Sequence, residues 1–177
     1  MNANISEEDK NKILKNVRRL KDQKVNIKIT GATGCGKSST INAMFDTEVA
    51  KVDSETMENE KYELDNLMLW DIPGLGDGKE ADNRHAKNII KKLLEVDENG
   101  EALIDLVLVI LDGSTTDLGT SYELINSVII PSLGKENRIL LAINQADMAI
   151  KGHNWDYDKN ELNKQLMTFL EEKVRSV

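Results

Sequence analysis

The sequence predicts an α/β fold, a mostly parallel sheet with one antiparallel hairpin strand and helices on both faces. Three observations carry that expectation. Two continuous apolar runs, "LIDLVLVIL" at 103–111 and "RILLAIN" at 138–144, read as strands buried on both sides. Strand and helix patterns alternate along the chain, as successive strand–helix–strand units require. A glycine-dense loop at 31–36 separates the alternating "VNIKIT" (25–30) from the helical "STINAMF".

Taken in order, Ser6 and Asp9 mark a helix start, and Ile13, Leu14, Val17 and Leu20 recur at helical spacing. Residues 1–24 therefore read as an amino-terminal helix ahead of a domain covering 25–177. The basic residues crowding that helix, Lys10 to Lys24, read as a solvated face. "KYEL" and "LMLW" flank Asp65-Asn66, a two-residue turn suited to a β-hairpin. A helix is expected from about Ala81 to Val96, stopped by "DENG", another over 118–130, and a last over 158–175.

A chain of 177 residues suits one domain with a proper core, and 40% hydrophobic with 31% charged residues excludes a disordered one. The single cysteine, Cys35, excludes an internal disulfide and fits a reducing compartment. "MNANISEEDK" holds no apolar signal segment, and the longest apolar run is too short for a bilayer, so the expected location is cytoplasmic. A net charge of -8 argues against broad nucleic-acid binding, and no specific DNA binding is expected. No cluster of His, Cys and carboxylates suggests a structural metal.

The glycine loop carries chemistry. Gly31 to Ser38, "GATGCGKS", fits the P-loop pattern G-x4-G-K-S/T. Its glycines let the backbone wrap, so that N–H groups of Gly31, Thr33, Gly34, Cys35 and Gly36 cradle phosphate oxygens at a helix amino terminus. Lys37 would reach the β- and γ-phosphates, the Ser38 hydroxyl would ligate Mg²⁺, and Ser39 would offer its N–H to the α-phosphate. Cys35 reads as a tolerated loop residue rather than a redox sensor. "LWDIPGLGDG" sets Asp71 and Gly74 at a strand's carboxyl end, where ligands of parallel sheets gather. Asp71 can hold Mg²⁺ through a water, and the Gly74 N–H can sense the γ-phosphate. "LLAINQADMA" ends another buried strand with Asn144, Gln145 and Asp147. A carboxylate there accepts two hydrogen bonds from guanine, whose paired donors adenine lacks.

In this order and spacing the motifs resemble the GTPases of the translation-factor-like P-loop class. "GATGCGKSSTINAMF" and "LWDIPGLGDG" look most like the Era-related, septin-like and immunity-associated branch, which includes bacterial ribosome-binding GTPases. The resemblance spans about Val25 to Val174 and implies the P-loop GTPase fold, binding of GTP with Mg²⁺, hydrolysis to GDP and two switch loops. It implies a Mg²⁺-ligating threonine in the first switch. Thr56 is the candidate; Thr47 sits too near the helix end. Lys37, Thr56 and Gly74 are then the residues expected to act on the γ-phosphate. Gln145 stands where the family has a lysine along the base, and Gly34 where potassium-activated relatives have asparagine, so no such activation is expected. Leu75 follows D-x-x-G where amide-using GTPases place a water-orienting glutamine, so slow isolated hydrolysis is expected. Arg84 and His85 read as surface helix residues, and His153 and Trp155 as packing or capping residues. The family's next strand, its S-A-K/L-like loop and closing helix are not visible, so the domain is expected to be incomplete at its carboxyl end. A homodimer, a ribosome and a membrane all stay open as partners. The alternative reading is a nucleotide-dependent self-assembly module with little turnover.

Overall fold

Five strands, β1 (Val25–Gly31), β2 (Glu60–Leu64), β3 (Leu67–Asp71), β4 (Leu106–Asp112) and β5 (Ile139–Asn144), form one sheet in the order β2-β3-β1-β4-β5. The structure is a computed structural model that describes residues 24–45, 60–64, 66–71, 74–97, 100–134, 138–153 and 155–175. β3, β1, β4 and β5 run parallel, and β2 pairs antiparallel with β3 in the expected hairpin. Asp65, Thr47, Thr56 and residues 1–23 of the expected amino-terminal helix lie outside the described residues.

Side chains of period two sort the core onto both faces. Ile29, Leu69, Leu108 and Ile110 pack with Ile41 of α1 (Lys37–Phe45). Val107, Val109 and Leu111 point the other way, against Ile89 and Leu93 of α2 (Lys79–Leu93) and against Leu124, Val128 and Ile129. Those last residues belong to one helical run, α3 (Gly119–Glu123), a π-helical stretch Leu124–Ile129 and α4 (Ile130–Leu133). Pro131, which has no N–H to donate, sits just past the wide turns, and Gly134 ends the run at φ 63°. The expected helix over 118–130 thus continues to Leu133.

Two other helices begin or end away from their expected positions. α2 starts at Lys79, where the Gly78 carbonyl accepts from the Asp82 N–H at 2.8 Å, and stops before the bridge between Val96 and Ala102. The last helix, α5 (Lys164–Arg175), starts late because the Asn163 side chain caps it, accepting from the Leu166 N–H at 2.9 Å. Before it, Trp155–Asp156 (β6) and Glu161–Leu162 (β7) pair as a hairpin. Asp156 Oδ1 accepts from the N–H groups of Asp158 and Lys159, and Asn160 turns the chain at φ 54°. These polar residues make a turn with local hydrogen bonds in place of a helix. Among the described residues no helix is long and apolar enough to cross a membrane.

One lysine is completely enclosed in the core. Lys28 of β1 is 0% exposed and donates to the Ile89 carbonyl at 3.0 Å. Burial, with Lys92 nearby, lowers its pKa to about 7, while Glu95 opposes the shift. Between about pH 7 and 10.5 the unfolded chain therefore holds a proton that the folded chain sheds. Lys28 makes stability rise with pH through this window, by at most about 1.4 kcal/mol per pH unit, and that gain is lost as pH falls through 7. Lys28→Met is expected to flatten the rise, measured by urea unfolding of both proteins across the window. Parallel pH slopes would refute the assignment.

Candidate functional site

The three sequence motifs meet at the carboxyl ends of β1, β3 and β5. The P-loop leaves β1 at Gly31 and enters α1 at Lys37. Close approach explains one of its glycines, Gly36, and the glycine that follows β3, Gly74. A Cβ on Gly36 would lie 2.0 Å from Asn144 Nδ2, and one on Gly74 would lie 1.9 Å from the Gly31 carbonyl oxygen. The P-loop is thus interlocked with the segments that follow β3 and end β5.

Lys37 is 9% exposed, and its ammonium donates to the carbonyls of Ala32 at 3.2 Å and Gly31 at 3.4 Å, inside the curve of the loop. Gly74 lies against the same ammonium. Thr33, Gly34 and Ser39 are exposed, and Ser38 is half-buried. Cys35 is buried beside Ile29 and Ile41, and burial pushes its thiol up, which suits a packed and unreactive sulfur. Its carbonyl accepts from Asn144 Nδ2 at 3.0 Å. Asp71, the last residue of β3, is 1% exposed.

The segment after Asp71 is tied down from two sides. The Thr33 N–H donates to the Leu75 carbonyl at 2.9 Å, and Thr33 Oγ1 donates to Asp77 Oδ1 at 2.8 Å. Asp82 of α2 accepts from the N–H groups of Gly76 and Asp77. His85 Nδ1 lies 2.8 Å from the Gly74 carbonyl. A carbonyl can only accept, so Nδ1 carries the hydrogen in that bond. His85 is therefore no free surface residue: its ring is largely buried, with Asp77 Oδ2 at 3.7 Å. Arg84 is exposed, as expected. Helical periodicity could not single out His85, because its partner is a backbone carbonyl in the preceding loop. Asp77 and Asp82, flanking Gly78, carried the only sequence trace of this arrangement.

Asn144 closes β5, Gln145 turns the chain at φ 53°, and Asp147 lies in the first turn of a stretch, Ala146–Gly152, of two short helical turns kinked at Ala149 to Lys151. All three are half-buried. Ala149 anchors that stretch against Leu166 and Leu170 of α5, with Trp155 packed alongside, and the His153 N–H donates to the Ile150 carbonyl. Both aromatic residues pack or cap, as expected. Among the described residues no group of three or more His, Cys, Asp and Glu could hold a metal by itself.

The family described as "50S ribosome-binding GTPase" matches residues 26–145, a span containing the P-loop, Asp71, Gly74 and Asn144. The chain belongs to this GTPase family. A "Probable GTP-binding protein EngB" of Malacoplasma penetrans (strain HF-2) is 26% identical over 147 residues, covering 80% of this GTPase and 72% of the relative. A solved structure of a probable GTP-binding protein engB covers 84% of the chain and 79% of its own, with a TM-score of 0.54 at 21% identity. A structure of the chloroplast translocon components atToc33 and psToc159, for which dimerisation is described as important for GTPase activity, covers 93% and 64%. Its TM-score is 0.63 at 18% identity. Both likenesses are of fold. The mostly parallel sheet, its one antiparallel strand and the surrounding helices are those of a P-loop GTPase, and guanine nucleotides are the ligands of the family.

Proposed function

We infer that this GTPase is a guanine-nucleotide switch that binds GTP with Mg²⁺ and hydrolyses it slowly to GDP in the cytoplasm. The observation that carries the reading is the interlocking of three motifs at one end of the sheet, joined by the Asn144 bond to the P-loop carbonyl of Cys35. N–H groups of Gly31, Thr33, Gly34, Cys35 and Gly36 cradle phosphate oxygens, with Ser39 at the α-phosphate. Lys37 turns from its loop carbonyls to the β- and γ-phosphates, and Gly74 senses the γ-phosphate by its N–H. Asp147 reads guanine, and Asn144 braces the base site against the P-loop.

Ser38 and Asp71 offer hard oxygen donors beside the P-loop, and such donors suit Mg²⁺; Thr56 is the further ligand in this reading. A Mg²⁺ held by these residues would supply charge neutralisation to the transferring phosphoryl group. His85, Asp77 and Thr33 hold the segment after Gly74 in register with the P-loop.

Slow turnover follows from Leu75. It is 3% exposed and packs in the core with Ile89 and Leu124, so the position after Gly74 presents no amide to an attacking water. Positioning and charge stabilisation supply most of the rate in phosphoryl transfer, and the expected isolated rate is on the order of 10⁻³ s⁻¹ or below. A second copy, or a partner such as the ribosome, would complete the site. The dimerisation described as important for GTPase activity in the chloroplast neighbours supports completion by a second copy; the second reading is a self-assembling module with little turnover. Single-turnover GTP hydrolysis over a protein concentration series tests both. A slow rate that climbs with concentration is expected. Fast, concentration-independent hydrolysis at high dilution would overturn the slow-switch reading, and stable retention of GTP by a dimer would favour the second.

A further inference from the structure

Lys173 of α5 is 7% exposed, and its ammonium is gripped by backbone carbonyls in a way the nucleotide site does not explain. It donates to the carbonyls of Asp112 at 3.1 Å, Gly113 at 3.1 Å and Thr115, all where β4 leaves the sheet. An ammonium has three N–H donors and no acceptor, so three converging carbonyls are as many as its hydrogens can serve. The Phe169 ring lies 5.6 Å away on the same helix. Burial lowers the Lys173 pKa, and Asp112 opposes that shift.

Those carbonyls lead to the base-reading strand. The Gly113 N–H donates to the Asn144 carbonyl at 2.8 Å. A Cβ on Gly113 would lie 2.7 Å from that same oxygen and 3.0 Å from the Gln145 carbonyl oxygen, so the exits of β4 and β5 are in direct backbone contact. The Asn144 side chain in turn holds the P-loop through Cys35. On the far side, Leu166 and Leu170 of α5 pack against Ala149, just beyond Asp147. Apolar contacts therefore seat α5 beneath the guanine-reading stretch, while its ammonium sets where β4 ends.

The geometry points to Lys173 as a positioning residue for guanine recognition: it fixes the β4 exit, and through Gly113 the height at which Asn144, Gln145 and Asp147 meet the base. The inference rests on the reading of Asn144 and Asp147 as the guanine site. Loss of the ammonium leaves the carbonyls of residues 112–115 without their shared donor and frees the β4 exit to shift. Misplacements of that size, remote from the ligand, are costly to a built site.

Lys173→Met keeps the stem and its packing but removes every N–H. GDP affinity is expected to fall about tenfold or more, with the preference for GDP over ADP narrowing in step. The single-turnover rate at saturating GTP should fall by less than the affinity does, because no residue that meets the phosphates is replaced. Lys173→Gln, which keeps two N–H donors, should lie between Met and the parent. In Lys173→Ala, n-propylammonium should restore selectivity, and tetramethylammonium, charged but without donors, should not. Thermal midpoints of the nucleotide-free proteins are measured alongside. A variant of lower midpoint whose folded fraction binds GDP as tightly and selectively as the parent would overturn the positioning role. Nucleotide selectivity of the parent is measured first: a parent indifferent between GDP and ADP sinks the base-site reading itself, whereas a selective parent with an equally selective Lys173→Met sinks only the role of Lys173.

Discussion

Lys37→Ala is expected to lower the affinity for GTP and GDP by at least about two orders of magnitude. Hydrogen bonds to charged groups contribute roughly 1.5–3 kcal/mol each, and each 1.4 kcal/mol is tenfold in binding. Lys37 serves two phosphates in this reading, which alone would give a larger loss. Part of that is returned, because in the free protein the ammonium must leave the Ala32 and Gly31 carbonyls before it can turn to phosphate. The substitution spares the fold, since the bonds it removes end on backbone of a loop that Asn144 and Thr33 still hold. Titration with a fluorescent guanine nucleotide at fixed Mg²⁺ measures the effect. Undiminished binding would overturn the assignment of the P-loop as the phosphate site.

Asp147→Asn is expected to exchange guanine for xanthine. In the proposed reading the carboxylate accepts from two guanine donors, the N1–H and the exocyclic amine. An amide in its place offers an N–H, and xanthine carries a carbonyl where guanine has its amine, so donor and acceptor are swapped on both sides. A site built around one polar pairing rejects the mismatched partner by about 10⁴-fold or more when the buried groups are left unpaired. The half-buried setting of Asp147 places the change toward the lower end of that range. Competition among GDP, XDP and ADP reads the outcome directly. A variant that still prefers GDP would show that Asp147 does not read the base.

The elements that the sequence made legible were those whose signal is local. Alternation in "VNIKIT", the unbroken apolar runs around Val107 to Leu111 and Leu140 to Ile143, and the spacing from Gly31 to Ser38 all act within a few residues. Each matched its strand or loop. What stayed hidden depends on partners distant in the chain. His85 read as a surface helix residue, and nothing in the sequence singled out Lys28 or Lys173, because their partners are carbonyls of Gly74, Ile89, Asp112 and Gly113, and a carbonyl leaves no mark on residue type. The late start of α5 has a related cause. "DYDKNEL" carries helix-compatible charges, but Asp156 and Asn163 spend their side chains on nearby N–H groups, and the backbone turns before it can wind. In the candidate site, the residues supplied by motif were visible in advance, and those that hold the segment after Gly74 were not.

The contact between Asn144 and the P-loop also bears on how such a domain can be altered. With the amide nitrogen seated on the Cys35 carbonyl, and no room at Gly36 for even a methyl group, the loop proposed to read the base is not a detachable module. A graft that replaced residues 139–147 with a loop of different base preference would import its own residue at 144, and with it a different fit against Gly36. The two positions travel together: a donor loop ending in a longer side chain would press the P-loop out of shape, and one ending in a shorter side chain would leave it slack. Redesigning nucleotide preference in this chain is therefore a problem of matching two loops at once, and substitutions that keep Asn144 and Gly36 as a pair are the ones open to it.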